Sequence, residues 1–144
     1  MIPTSHLWLN TLRLGLLIGT IGWCVALYFT FAPWNSAADQ LYAMGAGQIP
    51  YRPMYDYWLR MASSVFGCIG LGCALALLDP NKYAGFIRLL GPFHLLVGIT
   101  LTIAARANHL TPSLHPTFIP DITFCYLTCL LIQLPLIQAT RDAR

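Results

Sequence analysis

The 144-residue chain is long enough for one domain, at ~100–200 residues per domain. Apolar residues make up 57% of it and charged residues only 9%, where a soluble domain needs about 25% charged residues to keep its surface wet. These values exclude disordered, collagen-like, coiled-coil and nucleic-acid-binding classes, and the formal charge of +3 is too small to change that. They leave a small integral membrane protein in a lipid bilayer.

Charge placement divides the chain. Leu14–Ala32, Met61–Leu78, Leu89–Ala105 and Ile122–Ala139 contain no Asp, Glu, Lys or Arg, and each holds 17 to 19 residues. A ~30 Å hydrocarbon core needs ~20 helical residues, and a charge at its centre costs at least ~2.5–3.5 kcal/mol. The runs are apolar on every face, without the alternation of a barrel strand. The sequence therefore predicts an all-α, four-helix transmembrane bundle forming one domain, with spans at approximately 12–33, 58–79, 85–106 and 120–140.

The first span lies between Trp8 and Trp34, amphipathic rings suited to headgroup depth. Small residues after it (Ser36-Ala37-Ala38) resemble a cleavage site. The apolar run is longer than the ~7–15 residues of a signal core, however, and only Arg13 precedes it, so we read an anchor. Gly15, Gly19, Gly22 and Ala26 form a small-residue stripe, the kind of face that lets helix backbones approach in lipid. In the following connection, Ala37–Met44 permits a short interfacial helix.

Tyr51, Tyr55, Tyr57 and Trp58 crowd the start of the second span. Asp56 and Arg60 stand four residues apart, which allows an ion pair on one helix face. We read the pair as an interfacial anchor and cap, with ligand gripping as the alternative. Ser63, Gly67, Gly70 and Ala74 repeat the offsets of the first stripe, so the two stripes are expected to face each other or a common neighbour. Asp79-Pro80 ends this span, because proline cannot continue a helix.

The third span carries the most unusual residue, His94, on one face with Gly91 and Gly98. The fourth begins at Pro120-Asp121, a helix-starting pair with the carboxylate at the positive dipole end. It then places Cys125, Cys129 and Gln133 on one stripe. His94 lies five residues past Leu89 and Gln133 six before Ala139, so the antiparallel spans hold them at similar depth. A buried His94–Gln133 hydrogen bond is the first reading. The second is a functional His94, in binding or proton handling, since intramembrane ionisable residues are functional candidates. Metal or haem ligation is the third, but His6, His109 and His115 fall outside the spans and supply no second axial histidine.

With four spans both termini share a side. Arg13, Lys82, Arg88, Arg141 and Arg144 collect there, against Arg52, Arg60 and Arg106 opposite, which favours cytoplasmic termini. All five cysteines (Cys24, Cys68, Cys73, Cys125, Cys129) fall within spans, without a Cys-x-x-Cys; free buried cysteine acts as a small hydrophobe. No phosphate loop, nucleophile elbow or zinc motif occurs. Acid–base chemistry would have to use His94, Asp56 or Asp121, of which only His94 is deep. We assign no catalytic residue, metal or cofactor.

Pro33-Trp34, a long glycine-containing connection, and Arg60-Met61-Ala62 leading into Gly67–Gly72 resemble the layout of DoxX-like small four-span bacterial membrane proteins. That resemblance implies a four-helix bundle in a bacterial inner membrane and no catalytic residue. Two functions are expected. The first is a non-catalytic accessory subunit of a larger membrane complex, partnered by other subunits or by copies of itself. The alternative is a small-molecule or lipid-binding protein or transporter, its site drawn from His94, Gln133, Asp56 and Arg60. A membrane redox protein comes third.

Overall fold

A computed structural model describes residues 2–142. Four helices in it are long and apolar enough to cross a membrane: His6–Phe31, Pro53–Leu78, Ala84–Ala107 and Phe118–Asp142. No strand occurs among the described residues. The first span comprises α1 (His6–Cys24) and α2 (Ala26–Phe31). Val25 between them keeps helical dihedrals of −54° and −33°, and the Tyr28 N–H bonds to the Val25 carbonyl, tightening one turn without ending the span. Ala32 is extended, as a residue before proline must be, and the span stops there.

A short helix follows, α3 (Trp34–Leu41), continued by a wide turn at Tyr42–Ala46; it is the interfacial element that Ala37–Met44 permits. The remaining spans are α4 (Pro53–Leu78), α5 (Ala84–Ala107) and α6 (Phe118–Asp142). Pro53 opens α4 at a position where its missing N–H costs nothing. Pro92 and Pro135 lie inside α5 and α6, which nonetheless run unbroken, as membrane helices tolerate.

Helix α1 packs broadly on both α4 and α6, and α6 on α5, while α4 and α5 meet only slightly. The bundle therefore has the order α4–α1–α6–α5 with a loose closing seam. The two glycine stripes do not face each other. Gly15, Gly19 and Gly22 of α1 lie against Leu131, Thr128 and Phe124 of α6, Gly19 also touching Cys73, while Gly67 and Gly70 of α4 receive Leu27 and Cys24 of the first span. Each stripe seats larger side chains from a neighbouring helix. Gly98 meets Tyr126 and Cys125, and the Gln133 side chain covers Gly91 so closely that a Cβ there would overlap its amide.

The half of the bundle nearest the termini is solid. Leu12, Leu16, Ile87 and Ile132, one or two from each of three spans, are fully buried together with Cys73 and Ala76 of α4. At the opposite end Phe29, Ala32 and Ala37 form a smaller cluster with Leu41, Met44 and Leu59, which docks α3 across the ends of the first two spans. Arg13, Lys82, Arg88 and Arg141 are exposed on or near the terminal end; Arg144, counted with them, lies outside the described residues.

Candidate functional site

Between those two clusters sits an aromatic junction. Trp23 of α1 has ring centroids 5.1 Å from Phe66 of α4, 5.7 Å from Phe93 and His94 of α5, and 5.5 Å from Phe124 of α6. One side chain thus touches the other three spans. The Trp23 indole N–H donates to His94 Nε2 at 2.8 Å. An indole can only donate, so Nε2 must accept, and the imidazole proton resides on Nδ1. Nδ1 in turn donates to the Leu90 carbonyl at 2.7 Å. Both nitrogens of a fully buried histidine are therefore satisfied. This arrangement leaves no ring lone pair for a metal or haem iron, and proton uptake at Nε2 would break the tryptophan bond.

The expected His94–Gln133 bond is not formed. Gln133 lies over Gly91, nearly one turn from His94 toward the termini, while α1 brings Trp23 to the imidazole from between α4 and α6. Trp23 is the residue that the sequence reading missed. It is the one tryptophan deep within a span, and its donor-only N–H in lipid needs an acceptor.

Asp56 and Arg60 do form their ion pair, at 2.8 Å, but they are not joined with His94 and Gln133 in one site. Arg60 also donates from Nη1 to the Phe29 carbonyl at 2.7 Å and to the Ala32 carbonyl. These are terminal carbonyls of the first span, left without helical donors before Pro33. Arg60 therefore caps that helix and ties it to α4, and a cation suits the negative dipole end.

Above Trp23, on the side away from the termini, lies a cavity of about 360 Å³. Its walls come from every span: Gly22, Ala26 and Phe29 from the first, Ala62, Ser63 and Phe66 from α4, Val97 and Leu101 from α5, and Asp121, Phe124 and Cys125 from α6. Met44, just beyond α3, closes the top. Beside it Gly45 has φ +96°, and a Cβ there would run into the Leu114 carbonyl, so glycine lets the α3 segment rest on the connection between α5 and α6. Ala62 and Phe66 are exposed, and α4 barely meets α5, so the cavity opens sideways along that seam. A larger cleft of about 570 Å³ near Asp39 and Pro50 is lined only by residues of the first connection and is open to the outside.

The cavity's polar groups are few. The Ser63 hydroxyl donates to the Leu59 carbonyl at 2.6 Å and accepts from Thr30 at 3.2 Å. Asp121 is the one charged residue in the lining, and among the described residues its carboxylate has no hydrogen bond or ion pair. The same described residues contain no group of three His, Cys, Asp or Glu side chains placed to hold a metal ion. Compared with known proteins, the chain matches no family model, no curated protein and no solved structure.

Proposed function

We propose that this is a membrane-embedded binding protein that takes a small, largely apolar molecule into the cavity above Trp23. The observation that carries this reading is the cavity itself, walled by all four spans in a bundle whose other half is solid. A space of about 360 Å³ that opens sideways toward the bilayer admits a hydrocarbon or ligand to fill it. Its size falls at the lower end of small-molecule pockets, and its mix of apolar walls with few polar groups matches them in kind. The site is therefore the Trp23–Phe66–Phe124 floor and its walls, with His94 holding Trp23 in place.

The accessory-subunit reading draws on short loops, small-residue faces and the absence of chemical motifs, and the small-residue faces are taken up by helix contacts within the bundle. The basic residues at the terminal end support cytoplasmic termini, and the DoxX-like layout supports a bacterial inner membrane. The cavity then lies in the outer half of the bilayer.

The test uses the chain with Trp8→Phe, Trp34→Phe and Trp58→Phe, in which Trp23 is the sole tryptophan reporter, held in phosphatidylcholine nanodiscs. Titration with n-octanol is expected to change Trp23 fluorescence saturably, and Val97→Phe, which adds a ring to the wall, to abolish the change. A strictly linear response, unaffected by Val97→Phe, would be plain partitioning into lipid and would overturn the reading.

A further inference from the structure

The cavity above Trp23 shares a wall with a second hollow, of about 410 Å³, which lies between the first span and α3. Val25, Phe29 and Met44 belong to both linings, and of the three only Met44 lies off a span. The two spaces differ in what they face. The first is apolar and opens at the α4–α5 seam, whereas the second carries Gln40, Thr117 and Tyr28, whose hydroxyl donates to the Ser36 carbonyl at 3.4 Å. In the order α4–α1–α6–α5 the second hollow, beside the first span and the entry to α6, lies across the bundle from that seam.

Met44 packs half-buried on the Phe29–Ala32–Ala37 cluster, which accounts for an apolar side chain there. Packing alone does not account for its being the wall between two hollows. Nor does it account for the backbone that carries it. Met44 sits in the wide turn Tyr42–Ala46, and two left-handed glycines follow at once, Gly45 at φ +96° and Gly47 at φ +70°. Glycine absorbs dihedral change at little steric cost, which is how hinges are built. The methionine side chain is itself unbranched and adapts its shape readily.

We propose that Met44 is a gate, and that the cavity is a passage from the bilayer at the α4–α5 seam to the surface beside α3. This rests on the binding function proposed above, and it makes that function one of transfer: a small apolar molecule enters from lipid and leaves past Met44 at the end away from the termini.

Cys125 lines the cavity and is almost fully buried, so it reports water reaching that space. The chain in phosphatidylcholine nanodiscs is treated with a trimethylammonium methanethiosulfonate, a thiol reagent whose fixed charge keeps it out of lipid, and labelled cysteines are mapped by peptide mass spectrometry. Met44→Ala is expected to speed Cys125 labelling about tenfold, the scale of removing one half-buried methionine from the closed state. Met44→Leu, which keeps the volume, should label at the unsubstituted rate. n-Octanol should slow Cys125 labelling in all three chains, and Cys73, within the solid half, should label in none. Unchanged labelling in Met44→Ala would overturn the gate and leave the binding function standing. Faster labelling in Leu101→Ala but not Met44→Ala would also overturn it, placing the way out in the hollow of about 290 Å³ that Leu101 borders. Labelling of Cys73 together with Cys125 in Met44→Ala would mean general loosening and overturn it too. Gated labelling in a chain whose Trp23 fluorescence shows no saturable response to n-octanol would overturn the binding function instead, and with it the passage as a route for a ligand.

Discussion

The two halves of the bundle solve the same problem in opposite ways. Near the termini, Leu12, Leu16, Ile87, Leu90, Ile132 and Leu136 interlock until almost nothing is exposed. In the other half, large aromatic side chains stand around a space instead of filling it, and polar contacts at the end tie the first span to α4. In lipid there is no hydrophobic gain from bringing helices together, so close packing and hydrogen bonds must do it. The solid half supplies the packing. That lets the hollow half keep its shape with few contacts, using Arg60 as a cap and the Trp23–His94 bond as a crosspiece.

Substitutions in the two halves should therefore separate stability from binding. The largest stability effect is expected for Leu16→Ala in the solid half, a loss of ~2–5 kcal/mol for a fully buried leucine, read from unfolding in mixed detergent. Gly91→Leu should follow at ~1–3 kcal/mol, because the added side chain must displace Gln133. At the junction, a double-mutant cycle of Trp23→Phe with His94→Phe should give a coupling of ~0.6–1.7 kcal/mol, the range found for hydrogen bonds between membrane helices. A coupling near zero would mean that the indole–imidazole contact does not hold the floor. Asp56→Asn should have the smallest effect, ~0.2–1 kcal/mol for a partly exposed pair, with Arg60 still capping the first span. Hydrogen exchange at Ala32 and Trp34 would check that the cap persists.

The four spans were legible because each is a run free of charge, bounded by proline, aspartate or aromatic residues. Their ends were not. α1 starts at His6 and α4 at Pro53, before the expected 12 and 58, since polar first turns in the headgroup layer remain helical. The depth of His94 was equally readable, but its partner was not. Counting along spans ranks residues by depth, whereas the choice between Gln133 and Trp23 depends on which helix stands beside α5 and how it is turned. Asp56 and Arg60 announced their pair through a four-residue spacing, yet nothing local to α4 shows that Arg60 reaches carbonyls some thirty positions earlier. The cavity left no trace at all. It is a place that side chains from four spans fail to fill, and no single stretch of sequence records it.

Native mass spectrometry of the gently solubilised protein tests the central claim most directly, with Leu16→Ala and Val97→Phe beside the unsubstituted chain. The account predicts a bound small molecule that the chain and Leu16→Ala retain and that Val97→Phe loses while its helical circular dichroism is unchanged. A bound molecule that Val97→Phe keeps and Leu16→Ala loses would contradict it, placing the site in the half described here as solid.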